Sequence, residues 1–363
     1  MVVNNSIPAG VSIIANHNPF CPGTTVNYTA TPVNGGTAPS YQWKVNGINQ
    51  GTNSPNYSYA PQAGDSIRCI ITSNLSCVTN NPASSNRIVM SGLPVPVVSF
   101  TICFDSITII TANPIQLKGG IPLGGTYSGP GVNSVTGVFT PSIAGVGTKT
   151  ISYSYTNVSL CTALMTKNII VQAAPVFSCG NNLTDIRDNK VYPTVQIGTQ
   201  CWMRKNLNYG TAIQSATEQT DNCMNEKYCY NDDPSQCNVY GGLYQWDELM
   251  AYNNTPGSQG LCPPGWHVPT QTEWITLFNA NLTQGLAGKP LQDSIINGFR
   301  AIESGFVYSN MTWKFKGFAT FFWSSNSFGT INALSHGMNL QNFSVSDYYS
   351  NRSNAFAGRC LKN

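Results

Sequence analysis

The chain has 363 residues, of which 9% are charged and 41% hydrophobic, and its net charge is +3. That length predicts two or three domains, each large enough to bury a core of its own. A charge so small and scattered, with no lysine or arginine run, excludes a nucleic-acid interface as the main function. No stretch approaches the ~20 apolar residues of a membrane span.

Asn, Ser, Thr and Gly stand where soluble proteins usually carry roughly 25% charged residues. A surface solvated by neutral hydrogen-bonding groups is common in secreted bacterial β-proteins. Twelve cysteines and only three histidines (His17, His267, His336) are present. With no cysteine pair at zinc-finger spacing, they predict disulfides and an oxidising compartment rather than a Cys/His metal site. The opening residues Met1 to Ser6 have neither a charged start nor an apolar core. No signal peptide is therefore expected there. Either the sequence starts at a mature boundary, the favoured reading, or export uses another signal.

Residues 1–93 read as strands separated by turns. Val26, Tyr28 and Ala30 alternate with polar residues, as do Tyr41, Trp43 and Val45, and then Ile67, Cys69 and Ile71. Turn residues fall between them at Asn34-Gly35-Gly36, Asn46-Gly47 and Pro61 to Asp65. A tryptophan strand followed by a strand with an inward cysteine resembles the immunoglobulin sandwich, but the usual partner cysteine is missing. Cys21 with Cys69 is the preferred pair here. A buried free Cys69 is the alternative, and Cys77 is left open.

Residues 94–174 predict a second, smaller sandwich. Lys149, Ile151, Tyr153 and Tyr155 share one face of a strand, and glycine pairs punctuate the remainder. The pattern resembles the Ig-like or PKD-like repeats of bacterial surface proteins. Cys103 and Cys161 are the only cysteines of this segment and are expected to pair. Pro94-Val95-Pro96 and Ala173-Ala174-Pro175 read as stiff joints, which would make both sandwiches spacers in a rod.

Residues 175–363 carry six of the seven tryptophans. Asp185 to Met203 predicts a β-meander, and Tyr240 to Tyr252 a short helix. The segment Gly260-Leu261-Cys262-Pro263-Pro264-Gly265-Trp266-His267-Val268-Pro269 cannot be a regular element. It feeds a helix over 271–281, with Thr270 as N-cap and Glu273 completing a capping box. Trp274 and Phe278 lie one turn apart, with Ile275, Leu277 and Leu282 widening the apolar stripe. Strands are expected at Thr320–Trp323, His336–Leu340, Phe343–Tyr349 and Ala355–Leu361. Cys229 with Cys237, Cys262 with Cys360 and Cys179 with Cys201 are the expected bridges, and Cys223 is left over.

Several stretches of this region occur in a fixed order: Asp185-Ile186-Arg187-Asp188-Asn189-Lys190-Val191-Tyr192, Gln196-Ile197-Gly198-Thr199-Gln200-Cys201-Trp202-Met203, Tyr240-Gly241-Gly242-Leu243-Tyr244, Phe322-Trp323-Ser324-Ser325 and Gly358-Arg359-Cys360-Leu361. With the segment around Trp266, they make residues 179–363 resemble the Fibrobacter succinogenes major paralogous domain of bacterial surface and secreted proteins. That family is a relative of the C-type-lectin-like fold. The resemblance implies a fold and an extracellular or cell-surface habitat, and by analogy it places Trp323 inward beside Trp266. It carries over no catalytic residue. The Glu-Pro-Asn or Gln-Pro-Asp triplet of calcium-dependent sugar binders is missing near the late strands.

The fold class expected is therefore multidomain: two all-β Ig-like sandwiches followed by an α+β C-type-lectin-like domain. Asn231, Asp232 and Asp233 offer oxygen ligands on a constrained loop that could hold calcium. The alternative is a turn in which they accept backbone N–H bonds. No other cofactor is implied. Asp247 and Glu248 are adjacent and diverge by about 100° on a helix, a poor acid/base pair. No Ser-His-Asp set, phosphate loop or nucleotide fingerprint occurs, so the chain is read as a non-enzyme.

The stretch from Ser324 to Ser353 is dense in Asn, Ser and aromatic residues, the composition of a paratope. Its candidate ligand contacts are Asn326, Asn339, Gln341, Asn342, Asp347, Tyr348, Tyr349, Asn351 and Arg352. Filling of solvent-facing turns is the alternative. The leading expectation is a secreted or surface adhesin binding a glycan or protein. A subunit of a filament or fibre is the second, with apolar strand edges such as Thr25–Thr31 joining neighbours. An enzyme on a lectin-like fold is the third.

Overall fold

Alternating apolar residues with turn residues between them build an all-β N-terminal part, and tryptophans with capped helices build the C-terminal part. The computed structural model describes residues 6–281, 298–339, 341 and 344–363. Leu282 of the expected helical stripe, Leu340 and Phe343 of the expected strands, the candidate Asn342 and the opening residues 1–5 lie outside these. The contacts divide the chain into two units. One comprises residues 1–98, 122–125 and 154–164; the other comprises 99–121, 126–153 and 165–363. The chain is multidomain and mostly β.

In the first unit, β1 (Gly10–Ala15), β2 (Val26–Val33) and β5 (Asn56–Tyr59) form one sheet, in the order β1-β2-β5. The facing sheet holds β3 (Ser40–Val45), β4 (Ile48–Gln50) and β6 (Ser66–Thr72). Register places Tyr41 opposite Ile71, Trp43 opposite Cys69 and Val45 opposite Ile67. Val26, Tyr28, Trp43, Ile67, Cys69 and Ile71 are buried in one core. The Trp43 Nε1 donates to the Ser54 carbonyl at 2.9 Å, satisfying its one polar group.

Two expectations fail in this unit. β2 is a central strand, paired with β1 and β5 on its two sides, so the stretch Thr25–Thr31 is no open edge for fibre assembly. Cys21 is bonded to Cys161, not to Cys69. Cys69 points into the core beside Trp43, with burial pushing its thiol up to about 11, whereas Cys21 sits in a turn at the margin. Alternation identifies inward residues but not partners. Cys77 is free and exposed.

β7 (Ile107–Ile109), β8 (Thr126–Ser128), β9 (Gly147–Thr156) and β10 (Thr162–Gln172) form a sheet ordered β7-β10-β9-β8, which belongs to the second unit except for residues 154–156 and 162–164. Ile151 and Tyr153 are buried on β9, and the Tyr153 ring packs at a tilt against Tyr127 at 4.8 Å and Phe100 at 6.1 Å. The segment that carries these strands is bonded to the residues after it. Cys103 is joined to Cys223, which corrects the expected Cys103–Cys161 pair and gives Cys223 a partner. Beside that bridge, Arg187 donates to both oxygens of Asp185, to Asp105 at 2.9 Å and to the Leu261 carbonyl at 2.8 Å. Tyr209 lies 3.7 Å under the guanidinium and donates its hydroxyl to Asp105. Cysteines 120 residues apart reveal no proximity in sequence, so the nearer partner looked the better one.

The remaining strands form two sheets. β11 (Asn182–Thr184), β12 (Val191–Ile197), β13 (Gln200–Met203), β14 (Trp266–His267) and the closing β15 (Leu361–Lys362) make the first, ordered β11-β12-β13-β15-β14. The larger sheet runs from strand Thr211–Ile213 to an edge at Ser344–Asn351. One core packs Trp246, Trp266, Trp323 and Phe356 with Met203 and Leu249. The other packs Trp202, Trp274, Phe299 and Phe322. Trp323 and Trp266 thus share a core.

Helix α1 (Pro234–Tyr240) follows an Asp233 N-cap, α2 (Trp246–Leu249) is one turn long, and α3 is Gln271–Asn281. The expected helix over Tyr240–Tyr252 is interrupted, because Leu243–Gln245 is taken as a strand by Ala355–Ala357. At the start of α3, the Thr270 N–H donates to Glu273 Oε2 at 2.7 Å and the Glu273 N–H returns to Thr270 Oγ1 at 3.4 Å. Trp274 and Leu277 are buried, but Ile275 is 42% exposed and lies off the stripe. Gly265 has φ +83°, and an added Cβ would stand 2.9 Å from Ile109 Cδ1, so the Pro263-Pro264-Gly265 turn needs glycine. The bridges Cys179–Cys201, Cys229–Cys237 and Cys262–Cys360 complete the set.

Peptide mapping without reduction is expected to recover Cys21–Cys161 and Cys103–Cys223, with Cys77 alkylated in the native protein and Cys69 only after unfolding. A Cys21–Cys69 or Cys103–Cys161 peptide would contradict this arrangement.

Candidate recognition surface

The edge of the large sheet is built from β16 (Ala319–Phe328), β17 (Asn332–Asn339) and β18 (Ser344–Asn351). β18 pairs along its length with β17, from Asn332 opposite Asn351 to Asn339 opposite Ser344. Side chains alternate between the two faces of a strand. Tyr348 therefore falls on the face of Ser335, and its ring meets Phe321 at 5.6 Å. Tyr349 falls on the opposite face, 4.3 Å from Phe328. They are 46% and 62% exposed, so the two tyrosines offer contact area on two different surfaces.

Most of the polar candidates hold the scaffold. Asn326 Oδ1 accepts from the Gln271 N–H at 2.7 Å, satisfying a free donor in the first turn of α3, and from Ser324 Oγ at 3.0 Å. Arg352 lies 4.2 Å over Trp246 and donates to Asp247 at 3.2 Å and to the Gly329 carbonyl at 3.0 Å. Asn351 and Asn339 each accept a backbone N–H two residues on, from Ser353 and Gln341. Asp347 is bonded to His336 Nδ1 at 2.7 Å, and that hydrogen bond holds its carboxyl below the usual range. His336 is fully buried between Trp274 and Phe278.

Sequence reasoning missed the aromatic tier that Tyr348 joins. Strand Ser304–Val307 turns back through Trp313–Lys316, which pairs with it. Phe306 is buried at the centre, with Phe321 at 4.7 Å, Tyr308 at 4.7 Å, Phe315 at 5.6 Å and Phe356 at 5.2 Å. Phe315, at φ +62°, is half exposed, as is Phe318. The signal was Trp313-Lys314-Phe315-Lys316-Gly317-Phe318, a hairpin arm whose aromatics alternate with lysines. From Tyr348 through Phe321 and Phe306 to Phe315 and Tyr308, the rings form one contiguous cluster, exposed at Tyr348, Phe315 and Tyr308 and buried at Phe306. Aromatic faces of this kind bury much area with few rotatable bonds.

The acidic candidates are engaged by protein donors. Asp232 accepts from the Ser215 N–H and hydroxyl at 2.7 and 2.8 Å, and Asp233 caps α1 through the Ser235 N–H at 2.9 Å. Asn231 has a left-handed φ of +57°. Among the described residues, no three His, Cys, Asp or Glu side chains converge as a metal set. Asp247 and Glu248 part company: Asp247 meets Arg352, while Glu248 is buried. Glu248 accepts from the Glu226 N–H at 2.6 Å and the Tyr252 hydroxyl at 2.8 Å. Burial, with Glu226 and Asp221 nearby, pushes its carboxyl up to about 7.

Residues 195–362 match the sequence model of the Fibrobacter succinogenes major domain. No curated protein is similar to the chain. Among solved structures, the three N-terminal domains of the Highly Immunogenic Outer Capsid protein of bacteriophage RB49 overlap 45% of this chain and 59% of their own length, at 13% identity and a TM-score of 0.24. A Ca2+-stabilized adhesin that helps an Antarctic bacterium bind ice overlaps 55% of this chain and 63% of its own, at 11% identity and a TM-score of 0.23. The adhesin InvE of Yersinia pseudotuberculosis overlaps 97% of both chains, at 11% identity and a TM-score of 0.23. The chain thus spans less than two thirds of the first two. Overlaps of this quality do not establish a shared fold, and nothing about function follows from them.

Folding raises the Glu248 carboxyl from 4.5 to about 7, so its contribution to stability is present below 4.5 and is lost as pH rises through 7. Glu248→Gln keeps the acceptor for the Glu226 N–H and abolishes that loss. Relative to the unsubstituted chain, its stability is expected to rise by about 1–3 kcal/mol between about pH 5 and pH 8 in thermal unfolding. A difference that stays flat across that range would contradict the assignment.

Proposed function

We propose, with residues 195–362 belonging to the Fibrobacter succinogenes major domain family, that this chain is a non-catalytic recognition protein displayed outside the cell. Its C-terminal domain is read as lectin-like. It works without a bound metal and takes a surface glycan on the aromatic tier around Phe306. The observation that carries this reading is the cluster in which the exposed rings of Tyr348, Phe315 and Tyr308 are joined through partly buried Phe321 and buried Phe306. Sugar rings offer flat C–H faces that stack on such a platform, while their hydroxyls stay in water or meet side-chain amides. Five disulfides hold the scaffold rigid, so the platform needs little ordering when a ligand arrives. A neutral, Asn- and Ser-rich surface disfavours partners chosen by charge.

The two faces of β18 make the test specific. On a glycan array probed with the full chain, Tyr348→Ala and Phe315→Ala are each expected to weaken binding by about tenfold or more, while Tyr349→Ala changes it little. Loss of binding with Tyr349→Ala alone would move the site to the opposite face. No glycan bound by the unsubstituted chain would remove the reading.

A further inference from the structure

A cavity of about 720 Å3 opens in the second unit between the segment Cys103–Lys118 and the loop Met250–Leu261. Its size is that of small-ligand sites, about 300–1,000 Å3. It lies apart from the aromatic tier, whose residues do not line it. We propose that this cavity is a second binding site and that it takes a neutral saccharide.

The charges in the wall argue for a neutral ligand. Asp105 and Lys118 are the ionisable carboxylate and ammonium in the wall, and both are already matched. Asp105 holds Arg187 at 2.9 Å and the Tyr209 hydroxyl, and Lys118 holds Asp221 at 2.9 Å. An ion entering the cavity would find no opposite charge to meet it.

The neutral groups argue for hydroxyls. Amide and hydroxyl side chains from both walls, including Asn113, Gln116, Ser258 and Gln259, border the space together with Pro114, Ile115 and Leu261. Ser258 Oγ and Gln259 Oε1 are buried and have no hydrogen-bond partner among the described residues. Native proteins rarely leave such atoms unsatisfied, and each lost partner costs about 1–3 kcal/mol. A saccharide offers hydroxyl donors to the amide and hydroxyl side chains of this wall and C–H faces to its apolar part. The backbone points the same way. Ala251 and Tyr252 are consecutive non-glycine residues at φ +49° and +58°, both in the wall. Strain of this kind persists where the surroundings enforce it and gathers at ligand clamps. The Tyr252 hydroxyl is pinned to Glu248 at 2.8 Å, which fixes the ring at the cavity's border.

Saturation-transfer NMR of the full chain with cellobiose, maltose and N,N′-diacetylchitobiose tests the assignment. At least one of these is expected to bind saturably. Gln259→Leu keeps the side chain's volume and removes the unbonded Oε1 together with one long donation from Nε2 to Asp105 at 3.4 Å, so its melting temperature should fall little while affinity drops by about tenfold. Gln116→Leu, on the opposite wall, is the independent variant and should weaken the same binding. Tyr348→Ala should leave it intact, which separates this site from the aromatic tier. Saturable binding of none of the sugars, binding unchanged in both Gln259→Leu and Gln116→Leu, or saturable binding of triglycine in their place would each overturn it.

Discussion

The guanidinium of Arg187 is the contact on which the second unit depends. Its side chain is only 3% exposed, and removing a cation from water costs several kcal/mol unless geometry and further hydrogen bonds compensate. Here they do. Asp185 takes it in a two-pronged grip, Asp105 takes a third N–H, the Leu261 carbonyl takes another, and Tyr209 covers its face. Burial opposes the charge, but the two carboxylates more than offset it, so the group stays protonated at any pH the fold survives. Removing one partner of such a cluster strands the others and typically costs about 3–5 kcal/mol. Asp105 comes from the first third of the chain, Asp185 and Arg187 from its middle, and Leu261 from the turn before Trp266. One side chain therefore ties three distant stretches to one point.

The Cys103–Cys223 bridge works beside it by a different mechanism. Cross-linking residues 120 apart removes about 5 kcal/mol of chain entropy from the unfolded ensemble. The disulfide limits how far the segments can part, while the ion cluster dictates how they meet. Arg359 makes an instructive contrast. It is as buried as Arg187 but touches no carboxylate among the described residues. Its N–H groups reach Asn206, the Met203 carbonyl at 2.9 Å and the Phe299 carbonyl at 2.6 Å, with Phe299 and Phe322 against its face. Burial, with Arg300 nearby, pushes it down to about 9. It joins the closing strand to the core by hydrogen bonds and ring contacts alone.

What was readable in the residues was mostly local. The Thr270–Glu273 capping box, the two-residue alternation of Val26–Ala30 and Ile67–Ile71, and the short Cys229–Cys237 loop depend on neighbours a few positions away, where geometry is nearly dictated by spacing. Asp105 carried no signal, because a lone carboxylate after Cys103-Phe104 reads as a surface residue until Arg187 is placed beside it. The cysteine partners at 120 and 140 residues were lost for the same reason. The late strands show both sides of this. The density of Tyr, Asn and Ser drew attention to the right edge of the sheet, yet composition is blind to which face a side chain takes. Tyr348 and Tyr349 part, Asn326 and Arg352 serve the scaffold, and the rings around Phe306 were overlooked because they lie on a hairpin before the stretch that stood out.

Residues 99–121 fold as part of the C-terminal unit rather than as a detachable spacer. Native-state hydrogen exchange of the full chain, read at single amides, tests it most directly. Amides of Ile107–Ile109 and of Val191–Ile197 are expected to open together with one common free energy. Exchange of Ile107–Ile109 through a separate opening of lower energy, with Val191–Ile197 still protected, would contradict it.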